Sequence, residues 1–245
     1  MAAGAVAAFA TAFHFTGIGD AERTVHLPTL SGATALATPA PLSTVADTAL
    51  ASVVTIEVDT ARGERFGTGW LLDAGGNIVT NNHVVERQLA LRIVDRGGGV
   101  HAGVLVGFDP VEDIAVVRLQ GHLPGQPLPV GDRTLPTGEQ VAVLASARAT
   151  DHSEATREVV SQLHDAITIN PQAGEPGATD VQYRDMTVLQ GSPVYQGNSG
   201  GPVIDDRGEV VGIVTATAAN PARPEAYAIP IGRVIAELRA FASRR

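Results

Sequence analysis

The sequence predicts an all-β protein made of many short strands and closed by one C-terminal helix. Short runs of β-branched and aliphatic residues recur along most of the chain, and Gly, Asp or Pro separates most of them. The last residues have the apolar spacing of an amphipathic helix. Many short strands without intervening helices are typical of a β-sandwich or a β-barrel, and this pattern leaves both architectures open.

The first group of predicted strands belongs to a folded domain that starts near Asp47. Residues 52–58 form a β-branched run that predicts a strand, and a polar turn follows it. Residues 67–72 and 78–80 flank a turn that contains Asp, Gly and Asn, which indicates a β-hairpin. The remaining strands of this group are predicted at residues 89–94, 100–106 and 114–119.

A second group of predicted strands follows a proline-rich connection at residues 123–136. The polar stretch 146–180 has no assigned structure, and residues 158–163 within it fit either a helix or a strand. The strands of this group are predicted at residues 141–144, 181–189, 202–204, 210–217 and 226–229. The closing helix is expected to pack on the β-structure through one apolar face, which consists of Ile231, Val234, Ile235, Leu238 and Phe241.

Residues 1–46 are expected to precede the folded domain as an apolar leader and a flexible linker. Residues 1–19 carry no charged side chain, which fits an export signal or a membrane anchor as well as a loose tail. No Lys or Arg precedes their apolar part, although a secretory signal normally has one there. A signal or an anchor would place the domain outside the cytoplasm, either secreted or held at a membrane by residues 1–19.

Composition excludes several classes of function. With 44% apolar and 18% charged residues, the 245-residue chain is globular rather than disordered, and it is long enough for one large domain or two small ones. The formal net charge is −9 and no basic run occurs, so a nucleic-acid partner is not expected. The chain contains no Cys, which excludes disulfides and thiolate metal sites.

The motif with the clearest chemical meaning surrounds Ser199. Three glycines beside one serine are costly in backbone entropy, so something other than packing must require them. Such a turn can expose the hydroxyl of Ser199 while the N–H groups of Gly197 and Ser199 point into one space, which is what acyl transfer needs. A glycine-rich hairpin loop without chemistry is the simpler alternative. The motif reads Gly197-Asn198-Ser199-Gly200-Gly201-Pro202.

A serine nucleophile needs a histidine to take its proton and a carboxylate to hold that histidine. His83 ends the first hairpin, and Asp113 opens an apolar strand that would half-bury it. Asp109 and Glu112 are alternative carboxylates that are expected to be exposed turn residues. The other six histidines stand in less defined surroundings and are interpreted as structural or solvated: His14, His26, His101, His122, His152 and His164.

Together these blocks resemble the HtrA/Deg serine proteases of the chymotrypsin-like, or trypsin-like, superfamily. The blocks are residues 80–85, 113–116 and 197–202, and the resemblance covers residues 52–231. The chain order His, Asp, Ser is that of chymotrypsin. The resemblance implies two packed antiparallel β-barrels with a short C-terminal helix, in a domain that spans residues 47–245. We expect the barrels at about 47–122 and 135–230, and the helix at 231–242.

The resemblance also implies roles for individual residues. Ser199 would be the nucleophile, His83 the general base and then acid, and Asp113 the group that orients His83. The amides of Gly197 and Ser199 would form the oxyanion hole. Peptides or unfolded proteins would be the substrates, and no metal or organic cofactor would be needed.

A specificity pocket is implied near Pro193 and residues 214–216. Pro193 falls where trypsin-like enzymes carry a pocket carboxylate, so cleavage after small or medium aliphatic residues is expected instead of cleavage after Lys or Arg. The Thr215 hydroxyl is also expected to contact Asp113. The pocket residues are Pro193, Val214, Thr215 and Ala216.

The chain departs from the HtrA pattern in three places. HtrA proteins usually carry a C-terminal PDZ domain, whereas this sequence ends soon after residue 231, so regulation by a PDZ-bound peptide is not carried over to this chain. The N-terminal contacts of an HtrA trimer are not identified, and a trimer stays open. The stretch 146–180 is longer than its counterpart. Three alternatives remain: a catalytically silent protease-like binding module, a specialised processing or self-cleaving protease, and a β-rich adhesion or scaffold protein.

Overall fold

The computed structural model describes residues 40–146, 154–169, 181–195, 197–217 and 224–244. The predicted leader, most of the predicted linker, and residues 147–153 and 170–180 of the polar stretch lie outside the described residues. The same is true of His14, His26 and His152.

The described part of the chain begins with a helix that sequence analysis assigned to the linker. Helix α1 (Leu42–Ala49) starts directly after Pro41, five residues before the predicted domain start at Asp47. It buries Ala46 and Ala49 against other apolar residues. Its apolar face also includes the partly buried Leu42 and Val45. These residues have helical spacing, but the helix is only eight residues long and directly follows Pro39 and Pro41, so sequence analysis assigned it to the linker.

The first barrel closes six antiparallel strands in the order β1-β2-β3-β6-β5-β4. A short helix, α2 (Asn82–Val85), follows the third strand at one end of the barrel. All strands predicted for this half are present: β1 (Val53–Thr60), β2 (Gly63–Leu71), β3 (Asn77–Thr80), β4 (Ala90–Val94), β5 (Val100–Asp109) and β6 (Ile114–Gln120).

The second barrel closes six further antiparallel strands in the order β10-β11-β12-β9-β8-β7. The ambiguous segment 158–163 is part of a strand, and the hairpin that contains it extends to a pairing of Ile169 with Val181. The strands are β7 (Gln140–Leu144), β8 (Ala155–Ile169), β9 (Val181–Gly191), β10 (Pro202–Ile204), β11 (Val210–Thr217) and β12 (Glu225–Pro230). The prediction of two antiparallel barrels is therefore confirmed.

Three apolar clusters form the core, one inside each barrel and one between them. Strand β6 shows how alternation builds two of them: Ala115 and Val117 point into the first barrel, whereas Ile114 and Val116 join the cluster between the barrels. A fully buried aliphatic side chain stabilises the fold by roughly 1.5–3 kcal/mol. The inter-barrel cluster contains residues of both barrels, so it stabilises the packing of one barrel against the other and the contact between their loops.

Helix α3 (Ile231–Ala242) closes the described chain and packs against this inter-barrel cluster, as predicted. Its buried residues are Ile231, Val234, Leu238 and Phe241, and Ile235 is partly buried. Among the described residues, no helix has the length and apolar character needed to cross a membrane.

A buried carboxyl group lies inside the second barrel at Glu158. Its side chain is on the inward face of β8, opposite Gly191, and the residue is 1% exposed. Among the described residues, neither carboxylate oxygen accepts a hydrogen bond of normal geometry, and the nearby Thr156 hydroxyl and Ser192 backbone only partly offset the burial. Burial raises the pKa of Glu158 to about 7, because desolvation penalises its charged form.

This shift predicts how stability depends on pH. The folded state binds the Glu158 proton more tightly than the unfolded state, so stability is full below pH 4.5 and falls as pH rises toward 7. Glu158→Gln removes the ionisation, and we expect it to stabilise the protein at pH 8 by on the order of 3 kcal/mol and to leave pH 4 stability nearly unchanged. Chemical denaturation of both proteins at the two pH values measures this difference. A variant that is less stable at pH 8 would contradict it.

Candidate active site

The pairing of β3 with β6 brings His83 and Asp113 to the same end of the first barrel. Thr80 pairs with Ala115 in an antiparallel ladder. His83 lies three residues after Thr80, and Asp113 lies two residues before Ala115. Both residues therefore lie just beyond the same end of the paired strands β3 and β6. Two segments thirty residues apart in the sequence are therefore adjacent because of strand register.

His83 and Asp113 make two hydrogen bonds to each other. The backbone N–H of His83 donates to Asp113 Oδ1 at 2.9 Å, and His83 Nδ1 lies 2.8 Å from Asp113 Oδ2. A carboxylate can only accept, so this pairing assigns the hydrogen to Nδ1 and leaves the Nε2 lone pair free. The Asn81 amide donates to the Asp113 carbonyl at 2.8 Å and fixes the backbone of Asp113, which has a left-handed φ of 55°.

The two alternative carboxylates serve other purposes. Asp109 Oδ1 accepts the N–H groups of Val111 and Glu112 at 2.6 and 3.1 Å, which closes the β5–β6 turn. Glu112 forms an ion pair with Arg233 of α3 at 2.8 Å. Neither contacts His83 in the described hydrogen bonds. Both lie at the β5–β6 turn, as expected, but they are half-buried rather than exposed, so that part of the prediction is wrong.

Asp113 is 2% exposed and is held from several directions. The hydroxyl of Thr215, on β11 of the second barrel, donates to Asp113 Oδ2, as predicted from the sequence. The hydroxyl of Tyr183, on β9, donates to the same oxygen at 3.1 Å. Together with the two contacts to His83, these donors offset the cost of burying a charge.

Strands β10 and β11 of the second barrel place Ser199 beside Thr215, which contacts Asp113. Pro202 pairs with Ile213 across β10 and β11, and Ser199 lies three residues before Pro202 while Thr215 lies two after Ile213. Ser199 Oγ accordingly donates to the Thr215 carbonyl at 3.4 Å. A continuous series of contacts thus joins Ser199, Thr215, Asp113 and His83. In the described residues the Ser199 hydroxyl makes no hydrogen bond to the imidazole.

Two N–H groups around Ser199 have no acceptor among the described residues. The amides of Asn198, Gly200 and Gly201 donate to the carbonyls of Tyr195, Val214 and Asn198 at 3.1, 2.8 and 2.8 Å. Within the described part of the chain, no hydrogen bond is made by the amides of Gly197 and Ser199. Gly197 has a φ of 100°, which a side chain would disfavour. The two amides predicted for an oxyanion hole therefore have no partner in the described part of the chain.

Gly200 and Gly201 are both required by space, and Gly200 is also required by its backbone conformation. A Cβ atom on Gly200, whose φ is +86°, would lie 2.2 Å from the Thr68 carbonyl oxygen and 2.4 Å from Thr80 Oγ1. A Cβ on Gly201 would lie 2.2 Å from the Leu144 carbonyl oxygen. These contacts explain the glycines that the sequence alone showed to be unusual.

Thr68 of β2 connects the serine loop to the first barrel. Its hydroxyl donates to the Gly197 carbonyl at 2.7 Å, and its N–H donates to the Ser199 carbonyl at 2.9 Å. Its own carbonyl accepts the Thr80 hydroxyl at 2.7 Å. One residue therefore holds the loop that carries Ser199 against the hairpin that precedes His83.

The predicted pocket residues lie on two segments: Pro193 precedes the loop that carries Ser199, and residues 214–216 lie near the end of strand β11. Pro193 is exposed, whereas residues 214–216 are buried, and the Val214 side chain belongs to the core of the second barrel. Residues 196 and 218–223, which adjoin them in the sequence, lie outside the described residues. The assignment of a pocket to Pro193, Val214, Thr215 and Ala216 stays a prediction.

Sequence analysis missed three residues that the structure places at this site: Thr68, Asn81 and Tyr183. A signal existed for two of them. Thr68 lies between two glycines, and Asn81 is part of the same block as His83. No local pattern distinguishes Tyr183 from a core aromatic residue, because its role depends on where β9 meets the other barrel.

Two six-stranded antiparallel barrels, with a histidine and an aspartate from one and a glycine-flanked serine from the other, define the class of chymotrypsin-like serine peptidases. A family model described as a trypsin-like peptidase domain matches residues 67–213, which is more than half of the chain. The chain belongs to the trypsin-like peptidase family.

Individual relatives confirm the resemblance to HtrA/Deg proteases. Serine protease HTRA2, mitochondrial, from Bos taurus is 32% identical over 170 residues, which covers 69% of this chain and 34% of the relative. Serine protease PepD of Mycobacterium tuberculosis is 29% identical over 211 residues, or 80% of this chain and 44% of PepD. The chain thus spans less than half the length of these curated relatives.

One solved protease structure superimposes on this structure over most of the length of both chains. The active form of Rv3671c protease from M. tuberculosis superimposes with a TM-score of 0.69 at 27% identity, covering 85% of this chain and 89% of that one. The HtrA-type protease AlgW with a tripeptide has a TM-score of 0.69 at 21% identity and supports the fold. The described domain is an HtrA-like serine protease domain.

Proposed function

We propose that the chain is a serine endopeptidase that hydrolyses peptide bonds through a Ser199 acyl-enzyme. Ser199 Oγ attacks the scissile carbonyl carbon, and His83 Nε2 takes the hydroxyl proton. The imidazolium then gives that proton to the leaving amine as the C–N bond breaks. Water repeats the sequence on the acyl-enzyme, which releases the acid and restores Ser199.

The observation that carries this proposal is that Asp113 binds His83 directly and is connected to Ser199 through Thr215. His83 is fixed in the tautomer whose Nε2 can accept a proton, and Thr215 links the same carboxylate to Ser199. The amides of Gly197 and Ser199, which have no acceptor among the described residues, are suited to the negative charge that develops on the carbonyl oxygen. Each such donor lowers the barrier by about 3 kcal/mol in related chemistry.

The proposed reaction requires the Ser199 hydroxyl to turn from Thr215 toward His83. Its 3.4 Å contact with the Thr215 carbonyl is long and weak, so rotation about the Cα–Cβ bond costs little. Hydrogen bonds between catalytic groups commonly shorten when substrate binds. We infer that the bound peptide completes the alignment of Ser199 with the imidazole.

Substrate class and location follow from the same family evidence. We infer that peptides or unfolded proteins are the substrates and that small or medium aliphatic residues precede the cleaved bond, because Pro193 supplies no carboxylate for Lys or Arg. Two relatives from Pseudomonas carry names that describe periplasmic DegP-like endoproteases. Their names support a location outside the cytoplasm for this chain as well.

Covalent labelling tests the proposed chemistry without knowledge of the natural substrate. A fluorophosphonate probe should label the folded wild-type protein, and peptide mass spectrometry should place the adduct on Ser199. Heat-denatured protein and Ser199→Ala should not label, since the reaction needs both the hydroxyl and its folded surroundings.

Two results would contradict the proposal. Folded wild-type protein that never labels and never cleaves casein would favour the silent binding module. Casein cleavage retained by purified Ser199→Ala would assign the activity to another residue. Sequencing the new termini then separates broad proteolysis from specialised processing.

A further inference from the structure

We propose that Tyr183 is a positioning residue for Asp113, supplied by the long β8–β9 hairpin. This inference rests on the proposed function and assigns a role to an element that sequence analysis left unexplained. The Tyr183 hydroxyl donates to Asp113 Oδ2 at 3.1 Å, across the contact between the two barrels. Both residues are 2% exposed.

Tyr183 shares one carboxylate oxygen with His83 and Thr215. All three donors converge on Oδ2, while Oδ1 accepts the backbone N–H of His83. Each additional donor draws electron density from Oδ2 and lowers its strength as an acceptor for the others. Tyr183 therefore orients the carboxylate and limits how strongly Asp113 stabilises the His83 imidazolium.

The phenol is suited to act only as a donor. Burial and the negative charge of Asp113 raise the pKa of Tyr183 far above its ordinary value, so the hydroxyl keeps its proton throughout the working range of the protein. An aromatic ring enclosed by the inter-barrel cluster also has little freedom to turn the hydroxyl away.

A second contact fixes the backbone beside Tyr183 to the segment beside Asp113. The Arg233 guanidinium of α3 pairs with Glu112 at 2.8 Å and also donates to the Arg184 carbonyl. Glu112 precedes Asp113 and Arg184 follows Tyr183, so one side chain holds both neighbours. The relative position of Tyr183 and Asp113 is thus set by two independent contacts.

Other charged groups near the pair do not replace Tyr183. Arg65 Nη1 donates to the His83 and Glu86 carbonyls at 2.7 and 3.4 Å, and it contacts the backbone of His83 rather than its ring. The Glu86 carboxylate adds negative charge that acts on Tyr183. Both groups remain in place when the Tyr183 hydroxyl alone is removed.

Tyr183→Phe removes the hydroxyl and keeps the ring, and the rate of fluorophosphonate labelling between pH 5 and 9 measures the result. We expect the rate at pH 7 to fall by roughly three- to tenfold, because the loss of orientation of Asp113, and through it of His83, outweighs the stronger pairing of Oδ2 with the imidazolium. We also expect the acidic limb of the profile to move up by about half a pH unit, because Oδ2 becomes a stronger acceptor for the imidazolium. In a Ser199→Ala background, the His83 titration followed by NMR should move in the same direction.

Tyr227→Phe is the matched control, since Tyr227 donates to Glu225 at 3.1 Å on β12 and has no described contact with Asp113. It should leave the rate and the acidic limb unchanged. Wild-type protein that does not label would refute the proposed function, and the inference would fall with it. Suppose that the wild-type protein labels. The role of Tyr183 is then overturned if the acidic limb of Tyr183→Phe stays in place or moves to lower pH. A lower melting temperature without the expected shift of the limb would mean that Tyr183 contributes only packing.

Discussion

Replacement of Asp113 by Asn is expected to lower kcat by about 10⁴-fold, by analogy with the same change in a well-studied serine protease triad. The physical reason follows from the four hydrogen bonds that the carboxylate accepts. The backbone N–H of His83 cannot reverse its direction, so the Asn carbonyl oxygen must take the place of Oδ1. The Asn NH₂ group then faces His83 Nδ1, which must become an acceptor. Nε2 consequently carries the hydrogen and cannot take a proton from Ser199.

Asp109→Asn is the control for this prediction. Asp109 lies in the same β5–β6 connection and accepts two backbone amides, but it has no described contact with His83. Its replacement should cost some stability and leave kcat unchanged. Steady-state cleavage of a fluorogenic casein, with circular dichroism to verify folding, measures both variants. Equal losses in the two variants, or full activity in folded Asp113→Asn, would remove Asp113 from its proposed role.

Strand positions and the choice of His83, Asp113 and Ser199 could be predicted because local patterns encode them. Alternating β-branched runs mark strands whatever their partners, and the glycines beside Ser199 are costly enough to indicate a special backbone. The arrangement of the strands into two closed barrels came from the family resemblance. Pairing such as that of Thr80 with Ala115 joins distant segments, and periodicity alone does not determine it.

The contacts made by Tyr183 could not be predicted for a related reason. Its hydroxyl meets Asp113 because the β8–β9 hairpin extends beyond the barrel and the two barrels pack at one relative position. Neither property leaves a mark on the residues around Tyr183. Helix α1 was missed for a different reason. Its apolar residues Leu42, Val45, Ala46 and Ala49 have helical spacing, but the helix has only eight residues and directly follows a proline-containing linker.

Replacement of Gly200 by Ala is expected to lower both stability and activity severely. The left-handed backbone at φ +86° costs a side chain about 1–2 kcal/mol. The added Cβ would also lie 2.2 Å from the Thr68 carbonyl oxygen, and both the strand and the loop around it are held by hydrogen bonds. Relief of this overlap costs roughly another 3 kcal/mol, so the melting temperature should fall by about 10 °C or more. The movement displaces Ser199, so fluorophosphonate labelling should be lost even below the melting temperature.

Gly138→Ala separates the two causes. Gly138 has a similar φ of +90°, yet no atom lies within 4 Å of the position that its Cβ would occupy. Gly138→Ala should therefore lose only the conformational contribution to stability, about 1–2 kcal/mol, and the variant should label at the wild-type rate. If the two variants lose the same stability, the space between Thr68 and Thr80 is not what requires a glycine. If Gly200→Ala labels normally, the exact path of this turn does not control the reactivity of Ser199, and the proposed link between the two barrels and the nucleophile fails.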